Sequence, residues 1–195
     1  MPRFAVYPTL LLCFLTGCGK SETPISPPIT HAAKPATYVG SASCQSCHQT
    51  EQQQWLNSDH HKAMMLATPE NVVGNFSAPP LKHHQQETSF SKVGDQYRIS
   101  TDQGTRSATT LNLQYTFGIF PLQQYLTALP GGRWQSLPFA WDARPTTQGG
   151  QHWFHLYAEE SIVPGDVLHW RSPSHNANHM CIECHSTDFQ KNYDP

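Results

Sequence analysis

Apolar and polar side chains alternate along the middle of this chain. Leu111, Leu113, Tyr115 and Phe117 are separated by Asn112, Gln114 and Thr116, the period of two of a half-buried strand. Thr88–Val93 and Gln96–Ser100 flank Gly94-Asp95 and predict a hairpin. Phe139–Asp142 and His152–Tyr157 are two further strand candidates, and the second places Trp153, His155 and Tyr157 on one face. Pro130-Gly131-Gly132 and Gly149-Gly150 mark turns. These aromatic-rich strands suit either an ordinary sheet core or the covering of a flat apolar group. The segment from Thr50 to Met65 has another character: it is rich in helix formers, and no Gly or Pro interrupts it before Pro69. The pattern predicts an α+β fold, loop-rich, with helical segments flanking a small β-rich insert over residues 86–157.

Composition narrows the picture. Hydrophobic residues make up 37% of the 195 positions, and sixteen prolines and twelve glycines imply much irregular backbone. A thin apolar core of this kind calls for a metal, a disulfide or a large apolar cofactor. A net charge of -2 with only 13% charged residues excludes a basic surface for nucleic acid. Twelve histidines beside six cysteines shift attention to metal ligation.

Four of the cysteines form two pairs, Cys44-Gln45-Ser46-Cys47-His48 and Cys181-Ile182-Glu183-Cys184-His185. Each is a C-x-x-C-H, the haem c attachment pattern. Two thiols three residues apart share one side of a helical turn and reach the two vinyl groups of one porphyrin. The next residue then sets its imidazole under the iron. A zinc site made from both pairs, a redox dithiol or two disulfides would use the same thiols. None of those needs a histidine after each pair, and with 12 His in 195 residues two such placements arise by chance about 0.4% of the time. Two haems c, one per pair, are therefore expected.

His48 and His185 each fill one axial position. Were residues 48–60 a single helix, His48 and His60 would lie about 18 Å apart along its axis, too far to share one iron. His60 would then serve a neighbouring haem, or a turn must break the helix near Ser58. His61 is the alternative, and Met64 or Met65 would raise the potential. His155 and His169 are weaker distal candidates, with His31, His83, His84, His152, His175 and His179 beside them.

The N-terminus reads as an address. Arg3 precedes a short apolar stretch, Leu10–Leu15, too short to anchor as a bilayer span. Leu15-Thr16-Gly17-Cys18 resembles the bacterial lipoprotein cleavage box, with Cys18 as the lipidated residue. The expected organisation is a signal peptide over 1–17, a Ser/Pro-rich tether over 18–37 and a dihaem domain over 38–195.

Tyr38–His48, followed by Trp55, Ser58, His60, Ala63 and Met64, resembles the opening of the multihaem cytochromes c related to the tetrahaem electron carrier of ammonia oxidisers. Tyr115–Gly118, Pro121–Tyr125, Pro130–Arg133, Trp141-Asp142, Gly149–Tyr157, Leu168–Trp170 and Met180–Thr187 resemble the branch with C-terminal tetratricopeptide repeats. The resemblance implies periplasmic electron transfer between redox partner proteins, haems packed closely, and bis-His ligation with His60 in a distal role. Members of that branch continue into a further haem motif and helical repeats, so this chain is expected to be a truncated one. An electron carrier is the favoured function. A haem oxidoreductase acting on small nitrogen compounds and a non-haem metal-binding interaction module are the alternatives.

Overall fold

The computed structural model describes residues 36–102 and 107–193. The chain divides into a unit of residues 1–37 and a unit of Tyr38–Pro195, and the architecture below is that of the second. The proposed signal peptide and lipidation site, Cys18, lie outside the described residues.

The expectation of a small β insert between helical haem segments is overturned. Among the described residues the body is mostly β: nine antiparallel strands form one sheet that curls almost into a barrel, and the α-helices are three short ones. Strands β2 (Leu81–His83), β3 (Gln86–Val93), β4 (Gln96–Thr101), β5 (Thr109–Phe117), β6 (Leu122–Leu129), β8 (Phe139–Asp142) and β9 (His152–His155) follow one another across the sheet. Strand β1 (Met64–Leu66) pairs with β5, and β7 (Arg133–Ser136) pairs with β6. The ends of the sheet meet through side chains: His83 Nε2 donates to the carbonyls of Tyr157 (3.0 Å) and Ala158 (3.2 Å).

The hairpin β3–β4 turns at Gly94-Asp95 as its sequence predicts, with Gly94 at φ 59°, where a side chain would be strained. The Pro130-Gly131-Gly132 turn joins β6 to β7. Strand β6 is a surprise, because Leu122-Gln-Gln-Tyr-Leu-Thr-Ala-Leu129 is written largely in helix formers. Tertiary contacts override that preference. Tyr125 and Leu126 are fully buried, and the buried amide of Gln123 ties β6 to a distant loop. Its Nε2 donates to the Asn71 carbonyl (2.9 Å), and its Oε1 accepts from the Val73 amide (2.9 Å) and the Tyr125 hydroxyl (2.7 Å).

The aromatic strands pack upon one another. Phe90 and Trp153 stack with centroids 3.9 Å apart, and Phe76 meets Tyr97, Tyr125 and Trp153 edge-on. This cluster is the main core. The helix-rich segment over 50–65 breaks near Ser58, one of the two outcomes its sequence allowed. Helix α1 covers Gln49–Leu56 only. Ser58 then folds back, its hydroxyl donating to the Trp55 carbonyl (2.6 Å) and accepting from the His61 amide (3.3 Å), which competes with further helix. Met64 and Met65 leave the helical pattern to extend the sheet beside β5. Among the described residues no helix is long and apolar enough to cross a membrane.

Candidate functional site

The two cysteine motifs fold into the same local shape. In the first, the amides of Cys47 and His48 both donate to the Cys44 carbonyl, at 3.3 and 3.0 Å. In the second, the amides of Cys184 and His185 both donate to the Cys181 carbonyl, at 3.3 and 3.1 Å. Each motif is thus one helical turn, and positions i, i+3 and i+4 share its side. All four cysteines are free thiols, so neither pair is closed as a disulfide. Among the described residues no three His, Cys, Asp or Glu side chains converge on one point, so the two pairs are not brought together as one zinc site. Two thiols and an imidazole on one turn, twice over, fit the thioether and proximal-ligand chemistry of haem c.

The surroundings of the two turns differ. The first motif starts at the last residue of a 3₁₀ turn, Ser41–Cys44, and leads into α1, with His48 at the helix N-cap; neither element buries a residue. The second motif is bolted to the sheet. It comprises Cys181 and α3 (Ile182–His185), directly after α2 (Ala177–Met180). Asn176 caps α2 by accepting the Asn178 amide (3.0 Å). Asn178 is fully buried and bridges three strands of chain: its Oδ1 accepts from the Trp134 amide (2.7 Å), and its Nδ2 donates to the carbonyls of Gly132 (3.1 Å) and Lys191 (3.2 Å). Ala177 and Ile182 join Leu126 in a second, smaller core. Met64, Tyr115, Trp134, Phe189 and Cys181 itself pack around it. Burial pushes the Cys181 thiol up, with Cys184 adding to the effect.

An open cleft of about 410 Å³ runs beside this motif, lined by Met64, Tyr115, Trp134, Ile182 and the segment Ser186–Gln190 among others. Its size is that of a ligand pocket. The ring of Phe117 lies against the His185 imidazole, centroids 4.4 Å apart.

The predicted ligand candidates fall into two groups. His60 and His61 sit in the turn between α1 and β1, His60 exposed and His61 half-buried against Trp55 (ring centroids 4.5 Å). That turn is led back to the second motif: the Gly118 amide donates to the Ala63 carbonyl (2.8 Å), and Met64 is the register partner of Phe117. His155 and His169 are buried elsewhere in the fold. His155 stacks flat on His83, centroids 3.9 Å apart, and its Nδ1 accepts from the Tyr157 amide (3.1 Å). Burial, reinforced by the neighbouring His83, pulls the His155 pKa down to about 4. His169 Nδ1 accepts from the Arg171 amide (3.3 Å). The contacts described for these two histidines lead to the sheet and to its loops rather than to a cysteine pair.

Sequence reasoning singled out Met64 only as a possible ligand and missed Trp134 and Asn178. Asn178 had a local signal, since Asn-x-Asn ahead of a short helix is cap chemistry. Its long-range bonds had none.

The family described as cytochrome c554 and c-prime matches this chain over residues 43–104, from the first motif through the β3–β4 hairpin. No curated protein matches the chain, and no solved structure does. The match supports a cytochrome c family, with covalently bound haem c and electron transfer as the function.

Proposed function

We propose that this chain is a multihaem c-type cytochrome that carries two haems and passes electrons on the outer side of the cytoplasmic membrane, held there by lipid on Cys18. Its motifs resemble those of the branch with C-terminal tetratricopeptide repeats. The observation that carries the two-haem reading is the repetition of one hydrogen-bonded turn at both motifs, with free thiols and a following imidazole each time. When bound, haem iron takes up and releases one electron by cycling between its ferric and ferrous states.

The protein's own residues do the rest. Cys44, Cys47, Cys181 and Cys184 fix the macrocycles, and His48 and His185 supply the proximal nitrogens. His60 acts as a distal ligand. Because α1 ends at Leu56 and the chain turns at Ser58, the straight-helix separation from His48 does not hold, and His60 would close either the iron held by His48 or that of a neighbouring haem. Were two imidazoles to hold each iron, the centre would be low-spin and of low potential, tuned by burial and by hydrogen bonds to the ligands.

The test is the intact mass of the mature chain made with haem-maturation machinery. Two haems and a lipid are expected. The pair C44A/C47A removes one haem and C181A/C184A the other. A colourless protein with the mass of bare polypeptide refutes the proposal. A visible spectrum that shifts on adding small ligands would instead favour an enzyme with an open iron position.

A further inference from the structure

The geometry points to a specific seat for the second porphyrin: the face of the β1–β5 pair that carries Met64, Tyr115 and Phe117, closed at one end by Trp134. This rests on reading Cys181, Cys184 and His185 as a haem c site.

Side chains alternate across a strand pair, and directly paired residues share a face. Met64 pairs with Phe117 and Leu66 with Tyr115, so these four side chains stand on one face. Met65 pairs with Thr116 and stands on the other. The first face looks toward α3. Phe117 touches the His185 imidazole, while Met64 and Tyr115 line the cleft together with Ile182. Cys181 packs against the same group of Met64, Tyr115 and Trp134 around the small core. The half-buried thiol and the proximal imidazole therefore both adjoin this face. A macrocycle bonded through one and held by the other would lie beside this apolar surface. Tyr115 and Trp134 meet edge-on at 4.9 Å and make its aromatic wall.

The seat has a consequence for how the two motifs are joined. Strand β1 belongs to the segment that leaves the first motif, yet its Met64 contributes to the second haem's surroundings. The sheet thereby ties the chain leaving the first motif to the surroundings of the second.

A methyl group lying over a porphyrin feels its ring current. The test is a methyl-carbon-labelled methionine NMR spectrum of the reduced holoprotein, with M64L, M65L and M180L used for assignment. The Met64 methyl is expected well upfield of its position in free methionine, and the Met65 methyl on the opposite face close to the free position. Peptide mass counts the haem at Cys181–Cys184 in the same sample. Haem present there with Met64 unshifted, or with Met65 shifted in its place, overturns the seat alone. Haem absent there overturns the haem reading and the seat with it.

Discussion

Acid should destabilise this fold through one buried imidazole. His155 is 4% exposed, its Nδ1 accepts from the Tyr157 amide, and its Nε2 faces no partner. Its pKa is about 4 in the folded chain against an ordinary 6.5. The folded value is the lower one, so the unfolded chain takes up the proton first as pH falls. The contribution of the neutral imidazole is complete above pH 6.5 and is lost between 6.5 and 4. The gap corresponds to about 3 kcal/mol in full, of which about 2 kcal/mol is gone by pH 5. That is a large share of a typical domain stability of roughly 5–15 kcal/mol. The assay is denaturant unfolding of the holoprotein, followed by far-ultraviolet circular dichroism, at pH 7.5, 6 and 5. His155→Phe keeps a flat ring against His83 and Phe139 and removes the titrating group. Its stability should fall less steeply with acid than that of the native chain, by about 2 kcal/mol at pH 5. Some dependence remains, because burial also pulls down the pKa of His175. Parallel pH profiles for the two proteins would refute the reasoning.

Other positions give sharper local tests. Asn178→Ala strands the Trp134 amide and two carbonyls and should cost about 2–3 kcal/mol, read as a lower denaturant midpoint with an unchanged slope. Gly74→Ala would place a methyl 2.6 Å from the Tyr125 hydroxyl and 2.8 Å from the Trp153 ring, a clash expected to cost roughly 1–3 kcal/mol in the same measurement. The Arg144 guanidinium holds the Asp142 carboxyl down at about 2. Carboxylate titration by NMR should therefore show Asp142 moving up toward the ordinary 3.8 in Arg144→Gln, and an unmoved titration would contradict the pairing.

What could be read in advance was local. The two C-x-x-C-H turns announce themselves because thioether and ligand chemistry needs three side chains on a single helical turn, and such a turn closes within five residues. The β3–β4 hairpin was equally open to reading, since Gly94 supplies the backbone freedom its turn requires. Strand β5 showed through its alternation, and β8 and β9 through their aromatic content. Chemistry and turns of this kind depend on neighbours in sequence.

Only the tertiary structure decided the architecture and what surrounds the sites. Strand β6, made of helix formers, became a strand because its partners and the bonds of Gln123 lie elsewhere in the chain. Met64 left a helical pattern for a strand because β5 offered it an edge. The same pairing carries the segment after the first motif to the second, and Asn178 fixes that second motif from Gly132 and Trp134, more than forty positions away. A single sequence records propensity and spacing; it does not record which distant edge, carbonyl or ring will satisfy a residue, and in a sheet built from long-range pairs that missing information is the fold itself.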